Sequence, residues 1–465
     1  MPDTPQLLAD LERRLDHALQ TCGAGPAPGL LSITLAAPEF HFDRLPPGLS
    51  DYVYWAHPET GHYLLGTGRA IAVEAAGAGR FDTLSAAFAQ LSRRWRHYNP
   101  ARLALAPRAF AGFAFNADQD ETGIWADLPS ALLFVPTLLL QRLRGDCALT
   151  FTAQWQEGMR LEDIREAWLA AAERTLAALA APAGPARCPA VLARIDDQPP
   201  AEEWLALVDA ATTEIEAGGL QKVVLTRRIR VEAPRRLDPA RLMQALHYRY
   251  PGCTHLALNQ GQSTLVAATP ERLVTLYSGQ VTSDVLAGTT RRAANDTLDA
   301  WLAEDLRTSA KNRREHALVL DTVYGALAPL CSELSAPEQP EIMKLRSLQH
   351  LWSPVRGRVR PGRSLLDLAA RLHPTPAVGG VPTRAALQWL AAHGETARGW
   401  YTGAMGWLTP EGDGEFAVVL RCAMLQGNHA DLFAGAGIVA GSTPAGEFDE
   451  IELKLQVLLD ALEDA

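Results

Sequence analysis

A glycine-rich run that leads into a helical pattern, residues 433–455, constrains the fold of this chain more than any other stretch. It reads FAGAGIVAGSTPAGEFDEIELKL, and the apolar residues before it predict a strand. Glycines at 435, 437 and 441 predict a tight turn in which the backbone comes close to a ligand. Pro444 suits the first turn of a helix. The run therefore predicts a strand, a glycine turn and a helix in succession.

The predicted helix carries an apolar stripe and, beside it, a charged stripe. The apolar stripe recurs every three or four residues and consists of Phe448, Ile451, Leu455, Leu458 and Leu462. The charged stripe consists of Glu447, Glu450 and Lys454. Two carboxylates this close repel each other, and a divalent cation with a preference for oxygen, such as Mg²⁺, would relieve the repulsion. The alternative is a solvated acidic turn that complements the helix dipole.

Composition and charge narrow the class of protein. The chain has 465 residues, is 48% hydrophobic and carries a net charge of −10, which indicates a globular protein and argues against a nucleic-acid-binding surface. We see no secretory signal and no apolar run of about 18 residues that could span a bilayer. The six cysteines form no CxxC pair, so free thiols are expected. We expect a soluble cytoplasmic protein with no membrane or nucleic-acid partner.

The order of predicted elements favours an α+β fold with large antiparallel sheets. Amphipathic patterns predict helices at 5–20, 82–98, 161–179, 201–217 and 297–329. Strands are predicted within 29–78, 108–116, 131–156, 222–233, 255–260, 263–277, 399–408, 415–424 and 430–434, and a further predicted strand ends in VLAGTT at 285–290. Residues 180–200 are rich in Ala and Pro and are interpreted as a linker or a loop. Because the strands come mostly as hairpins, a doubly wound fold is not expected.

Two side chains beside predicted strands are candidates for proton transfer. Lys222 opens an otherwise apolar strand, and in a closed site such a lysine can lose its charge and act as a base. Glu271 follows Pro270 at the end of an apolar strand, where a partly dry cleft would raise its pKa and suit it to act as an acid. The alternatives are a solvated edge-strand lysine and a turn carboxylate paired with Arg272.

Three further segments could bind a ligand or shape a pocket. Glu315 lies near the border of the buried side of the predicted 297–329 helix, although it could equally form a surface pair with Lys311. Arg421 ends an alternating strand and offers a planar fork to a carboxylate, or lies on a surface strand. Residues 373–380, HPTPAVGG, form a rigid loop before a helix. The GxGxxxG spacing at 435–441 does not fit a dinucleotide-binding fingerprint.

These segments, in this order, closely resemble the chorismate-utilising enzymes and, within that family, the isochorismate synthases. The resemblance covers about 220–460 and is carried by KVVLTR (222–227), ATPERL (268–273), LAGTTRR (286–292), SAKNRREH (309–316), LHPTPAVGG (372–380), RGWYTGAMGW (398–407), GEFAVVLRCA (414–423) and the glycine-rich run with its helix (434–454). It implies one large α+β domain with two layers of mostly antiparallel sheet flanked by helices. Residues 1–197 would complete the core, and residues 198–465 would form the chorismate-binding catalytic part.

The resemblance also implies residue roles. Lys222 would activate water for attack at C2 of chorismate, and Glu271 would protonate the departing C4 hydroxyl. Mg²⁺ would be held by Glu315 and Glu450, with Glu447 nearby. Substrate would be bound by Gly288, Thr289, Ala377, Tyr401, Leu420, Arg421, Gly435 and Lys454.

Within the family, the lysine base indicates water rather than ammonia as the nucleophile, and HPTPAVGG has the form seen in isochorismate synthases. The resemblance therefore implies a Mg²⁺-dependent isomerase, active as a monomer or homodimer and serving menaquinone synthesis. The alternatives are a salicylate synthase, an isochorismate synthase of a siderophore or salicylate pathway, and a non-catalytic chorismate-binding protein.

Overall fold

The computed structural model describes residues 4–22, 28–38, 45–118, 123–181, 191–346, 348–395 and 397–464. Within these ranges the α-helices are α1 (Thr4–Cys22), α2 (Arg80–Arg93), α3 (Leu161–Ala180), α4 (Ala201–Glu216), α5 (Pro239–Arg249), α6 (Asp296–Thr308), α7 (Ala310–Leu327), α8 (Leu365–Leu372), α9 (Thr383–Ala392) and α10 (Pro444–Glu463). Short 3₁₀ turns lie at Pro58–Thr60, Gly123–Trp125 and Ala328–Leu330. None of the described helices is both long and apolar enough to cross a membrane.

The strands fall into two groups along the chain. The first half holds β1 (Gly29–Ala36), β2 (Tyr52–His57), β3 (His62–Thr67), β4 (Ile71–Ala75), β5 (Trp95–Tyr98), β6 (Ala109–Phe113), β7 (Ala131–Val135), β8 (Leu138–Leu143), β9 (Asp146–Trp155) and β10 (Ala193–Gln198). The second half holds β11 (Lys222–Glu232), β12 (Thr254–Gln260), β13 (Ser263–Thr269), β14 (Arg272–Tyr277), β15 (Gln280–Arg291), β16 (Cys331–Ser335), β17 (Glu341–Lys344), β18 (Leu348–Val359), β19 (Gly380–Val381), β20 (Ala404–Leu408), β21 (Gly414–Val418), β22 (Cys422–Gln426) and β23 (His429–Val439).

Both halves contribute strands to each of two sheets. The first sheet has 13 strands, in the order β10-β11-β23-β22-β13-β12-β2-β3-β8-β9-β1-β5, with β19 paired to β11. The second has 10 strands, in the order β16-β18-β15-β14-β21-β20-β6-β7-β4, with β17 paired to β18. Among the described pairs, only β1 and β5 run parallel. The predicted α+β architecture with two mostly antiparallel sheets is confirmed.

The two sheets pack face to face, and the helices cover their outer faces. On β13, Leu265 and Ala267 pack between the sheets, whereas Val266 and Ala268 pack under the helices. Successive side chains of a strand point to opposite faces, so a strand covered on both faces is apolar throughout. This burial explains why the central strands read as continuous apolar runs.

The prediction of one helix over 297–329 is wrong, because two helices meet at Ser309. α6 ends at Thr308, and the Ser309 side chain accepts a hydrogen bond from the Asn312 backbone N–H, which caps α7. Serine is favoured at this position because its oxygen satisfies a free N–H of the first helical turn. The break gives α7 its own direction, and α7 packs against β15.

The predicted turn at Gly435 and Gly437 is also wrong. β23 continues to Val439, and the two glycines pair with Thr226 and Val224 of β11. The turn is made later by Gly441, whose φ of +87° favours glycine. The helix prediction is confirmed: α10 begins at Pro444.

Two predicted boundaries in the first half also differ from the structure. Residues 95–98 form β5 rather than the end of a helix, and the indole N–H of Trp95 donates to Ser32 Oγ at 2.7 Å. Within the predicted linker, residues 193–198 form β10, which pairs with β11, and residues 182–190 lie outside the described ranges. The five described cysteines are free, as expected, and Cys188 lies outside the described residues.

Candidate active site

One cavity of about 820 Å³ brings together nearly all the predicted site residues. The predicted residues that line it are Lys222, Glu271, Gly288, Thr289, Glu315, Ala377, Tyr401, Leu420, Arg421, Gly435, Glu450 and Lys454. Glu447 does not line the cavity and lies one helical turn before Glu450 on α10. These residues come from segments spread over more than 230 positions of the chain, and they become neighbours only in the folded structure.

Lys222 enters the cavity from the first position of β11. Its side chain is 1% exposed, and its Nζ lies 2.8 Å from Oε1 of Glu315 on α7. Gly437, across the β11–β23 pair, leaves room for this contact. A Cβ at 437 would lie 2.7 Å from Glu315 Oε1 and 2.8 Å from Lys222 Cε, so any other residue here would displace this pair.

Gly435 makes a second close approach, next to α10. A Cβ at 435 would lie 2.9 Å from the Tyr401 hydroxyl, and the Gly435 carbonyl accepts a hydrogen bond from Lys454 Nζ at 2.8 Å. The same lysine pairs with Glu450 at 2.8 Å. The two glycines therefore act through the absence of a side chain within a strand, which leaves room for the Lys222–Glu315 pair and for the Tyr401 hydroxyl.

Glu271 sits at the break between β13 and β14. Its backbone carbonyl accepts from Val418 N–H at 3.0 Å, and its side chain is buried. Burial raises the pKa of Glu271 to about 8, opposed by the Lys222 ammonium and supported by the negative charge of Asp284. Glu271 is thus protonated at neutral pH, as a general acid must be.

Three carboxylates near the cavity are each paired with a lysine. Besides Lys222–Glu315 and Lys454–Glu450, Glu447 Oε1 lies 2.6 Å from Lys311 Nζ and accepts from Ser442 Oγ at 2.7 Å. Lys311 belongs to α7 and Glu447 to α10, so this pair ties the two helices together. Among the residues that the structure describes, no preformed cluster of three or more metal-ligating side chains is present.

Burial and neighbouring charges shift the pKa values of these carboxylates. Burial raises the pKa of Glu447, the neighbouring Glu450 charge raises it further, and Lys311 opposes both. Burial also acts to raise the pKa of Glu315, but Lys222, with Lys311 and Lys454, outweighs it and keeps that pKa below its usual value. The repulsion between Glu447 and Glu450 matches the expectation from their spacing on the helix.

Arg421 is held by a histidine that the sequence interpretation missed. Its Nη2 lies 3.1 Å from Nε2 of His350 on β18, and Nδ1 of His350 lies 3.0 Å from the Thr289 hydroxyl. A guanidinium can only donate, so Nε2 accepts and Nδ1 carries the proton. Burial lowers the pKa of His350 well below its usual value, and Arg421 and Lys454 lower it further, so the ring is neutral.

The local backbone explains how Arg421 and Thr289 reach the cavity. Arg421 has a φ of +46°, in the left-handed region, where the chain leaves β21 for β22. Gly288, with a φ of +79°, lies at the irregularity where β15 shifts register against β18. Such bulges re-aim side chains at sites. No sequence spacing links His350 to Arg421, which lies 71 positions further on, and β18 was not among the predicted strands.

The cavity is lined by a carboxylic acid that is neutral at pH 7, Glu271, and by the buried Lys222. Two further cationic side chains, Arg421 and Lys454, line it as well. Arg421 and Lys454 can hold the carboxylates of a dianionic small molecule. Glu271 can protonate a leaving group, and Lys222 can serve a nucleophile once its proton is released. This combination suits replacement of one hydroxyl by another on a bound acid.

Comparison with known proteins identifies the family. Residues 17–463 match the chorismate binding enzyme family. The chain is 31% identical to isochorismate synthase MenF of Bacillus subtilis over 88% of this chain and 87% of the relative. It is 32% identical to the salicylate biosynthesis isochorismate synthase of Pseudomonas aeruginosa over 98% of this chain and 96% of the relative.

Solved structures show the same architecture. The menaquinone-specific isochorismate synthase MenF from Escherichia coli matches with a TM-score of 0.80 and 25% identity, over 98% of this chain and all of that one. Anthranilate synthase component I from Streptococcus pneumoniae matches with a TM-score of 0.68 over 86% of this chain and 92% of that one; at 19% identity it shows the fold alone. From its cavity, its sequence and its fold, the chain belongs to the chorismate-binding enzyme family.

Proposed function

We propose that this protein is an isochorismate synthase, which converts chorismate to isochorismate by adding water at C2 and releasing the C4 hydroxyl. The observation that carries the proposal is that Lys222 and Glu271 line the same cavity as Arg421 and Lys454. A base, an acid and two carboxylate-binding cations are what this exchange requires. The named relatives support the same activity.

In the proposed mechanism each residue has a defined task. Arg421 and Lys454 bind and orient the two carboxylates of chorismate. Lys222, once it has released its own proton, takes a proton from the attacking water as the C2–O bond forms. Glu271 gives its proton to the C4 oxygen, so that water rather than hydroxide leaves as the C4–O bond breaks. His350 does not transfer a proton and instead fixes the orientation of Arg421.

The proposal includes Mg²⁺ as cofactor. Glu315 and Glu450 both line the cavity, and Glu447 lies one helical turn before Glu450 on α10. Carboxylate oxygens are the donors that Mg²⁺ prefers, so the residues present fit this ion. When bound, Mg²⁺ would offset the charge of a substrate carboxylate and help to hold it.

We expect Glu450→Gln to weaken Mg²⁺ binding and turnover together. Loss of one charged ligand corresponds to roughly 10–100-fold in Mg²⁺ affinity. Calorimetric titration of Mg²⁺, alongside the Mg²⁺ dependence of chorismate turnover, measures both effects. Glu315→Gln should act in the same direction but also leaves the buried Lys222 without its partner, whereas Glu450→Gln affects the pairing of Lys454, which is more exposed.

Asp321→Asn, an exposed position on α7, is the matched control and should leave both quantities unchanged. Undiminished activity in excess chelator would remove Mg²⁺ from the proposal.

The pathway that uses the product has two candidates. The Escherichia relative, described as menaquinone-specific, favours menaquinone synthesis, and the Pseudomonas relative, named for salicylate biosynthesis, favours a salicylate route; each matches 98% of this chain. A salicylate synthase would release pyruvate as well, so product analysis separates that alternative. The proposal also includes a cytoplasmic monomer or homodimer, and the free thiols of the five described cysteines fit a reducing compartment.

A further inference from the structure

An ion pair joins α7 to α10 beside the two proposed Mg²⁺ ligands. On α7, Lys311 lies four positions before Glu315, so the two side chains share one face of the helix. On α10, Glu447 lies three positions before Glu450 and shares a face with it in the same way. Lys311 Nζ lies 2.6 Å from Glu447 Oε1, so the two charged faces meet at this pair. The mechanism proposed above gives Lys311 no task.

The charge of Glu447 is compensated by two neighbours from different parts of the fold. Its side chain is only 3% exposed. The oxygen that contacts Lys311, Oε1, also accepts a hydrogen bond at 2.7 Å from Ser442 Oγ, which lies between β23 and α10. A buried carboxylate is costly unless it is paired and hydrogen-bonded. Lys311 and Ser442 therefore account for the buried charge of Glu447.

The positive charge of Lys311 also acts on both proposed Mg²⁺ ligands. Burial acts to lower the pKa of Lys311, but the negative charges of Glu447, Glu450 and Glu315 outweigh it and raise that pKa. Lys311 is therefore charged at neutral pH. Since all three carboxylates attract its ammonium group, the same group repels a metal cation that approaches them.

The three lysines around these carboxylates differ in what else they do. Each of the three carboxylates pairs with one lysine, so three ammonium groups face three carboxylates and the side chains carry no net charge. Lys222 has the task of proton transfer, and Lys454 has the task of binding substrate. Both line the catalytic cavity, whereas Lys311 does not. The charge of Lys311 can therefore set the affinity for a metal without contact with the substrate.

We propose that Lys311 is a counter-cation of the Mg²⁺ site, which weakens Mg²⁺ binding through its positive charge beside Glu315 and Glu450. This inference rests on the proposed Mg²⁺-dependent function of the same site. An incoming Mg²⁺ adds two positive charges to a set of side chains that is already neutral, so its affinity depends on how many lysines remain. Lys311 is thus a residue that sets Mg²⁺ affinity and not a catalytic residue.

The test is calorimetric titration of Mg²⁺ in the absence of chorismate. We expect Lys311→Gln to tighten Mg²⁺ binding by about tenfold, because it removes the charge but keeps a hydrogen-bond donor for Glu447. Lys311→Met should act in the same direction, whereas Lys311→Arg keeps the charge and should bind Mg²⁺ like the wild type. If Lys311 merely joined α7 to α10, its removal would leave Mg²⁺ binding unchanged or weaker. Thermal unfolding confirms that each variant is folded.

The Glu447→Gln background separates the charge of Lys311 from its pairing. Glu447→Gln leaves that charge uncompensated and should weaken Mg²⁺ binding by about tenfold, and adding Lys311→Gln should restore it toward the wild-type value. Lys344→Gln is the matched control. Lys344 likewise pairs with a buried carboxylate, Asp299, at 3.0 Å, and neither residue lines the catalytic cavity. Its substitution should leave Mg²⁺ affinity unchanged.

Unchanged or weaker Mg²⁺ binding by the folded Lys311→Gln protein would overturn the proposal. An equal gain in Lys344→Gln would overturn it too, as would the absence of Mg²⁺ binding by both the wild type and Lys311→Gln. Because no chorismate is present, the result does not depend on the product that the protein forms. A protein that binds Mg²⁺ as expected but makes another product would contradict the proposed function and support this inference.

Discussion

Replacement of Lys222 by alanine is expected to lower turnover by roughly 10²–10⁴-fold, the usual effect of losing a positioned proton-transfer group. The loss should appear both from chorismate to isochorismate and in reverse, because one transition state serves both directions. Chorismate affinity should survive better than turnover, since Arg421 and Lys454 still hold the carboxylates. Steady-state kinetics in both directions and direct chorismate binding measure these effects.

Two further variants separate catalysis from folding. Lys222→Ala leaves Glu315 buried without its partner, which can cost about 3–5 kcal/mol of stability. Lys222→Gln keeps a donor toward Glu315 but supplies no base, so it should remain folded and equally inactive. Lys454→Ala should chiefly raise KM, as expected for a binding group. Near-normal turnover of a folded Lys222→Gln protein would exclude lysine as the base.

Glu271→Gln should cost a similar factor, roughly 10²–10⁴-fold, because an amide cannot donate the proton that the C4 oxygen needs. The wild-type protein should also lose kcat/KM for chorismate as pH rises through about 8. This follows from the pKa of Glu271, since the protonated acid is the active form and is depleted above that value. The variant should lack this alkaline limb.

Substitution of Asp284 gives a second test of whether the alkaline limb of the pH profile belongs to Glu271. Its negative charge raises the pKa of Glu271, so Asp284→Asn should move the alkaline limb to lower pH without removing it. Asp284 accepts from the Trp352 indole N–H at 2.9 Å, a contact that the asparagine oxygen can keep. An unchanged limb in both the Glu271 and the Asp284 variants would assign the limb to another group.

Much of the site could be predicted from the sequence because its motifs are local. The segments around Lys222, Glu271 and Arg421 each combine a strand end with one chemical group, and resemblance to a family supplied their roles. Helix periodicity correctly placed Glu450 and Lys454 on one stripe, because that spacing depends only on the helix itself.

The features that were missed depend on contacts between distant segments. The β11–β23 register makes Gly437 a gap beside Lys222, and a single sequence gives no register between strands some 200 positions apart. The Lys222–Glu315 contact spans 93 positions. The sequence suggested a turn at Gly435 and Gly437 because glycine occurs both in tight turns and where a strand must pass close to other groups. A single sequence does not distinguish these two roles. Ser309 likewise divides a helical pattern whose apolar period continues across it.

The most direct test of the central claim is the product formed from chorismate and Mg²⁺ in ¹⁸O-labelled water, with ammonium present as a competing nucleophile. If Lys222 activates water while Glu271 releases the C4 hydroxyl, the product is isochorismate that carries the label at C2. Mass spectrometry of the product locates the label. An aminated product, or isochorismate without label, would contradict the proposed mechanism.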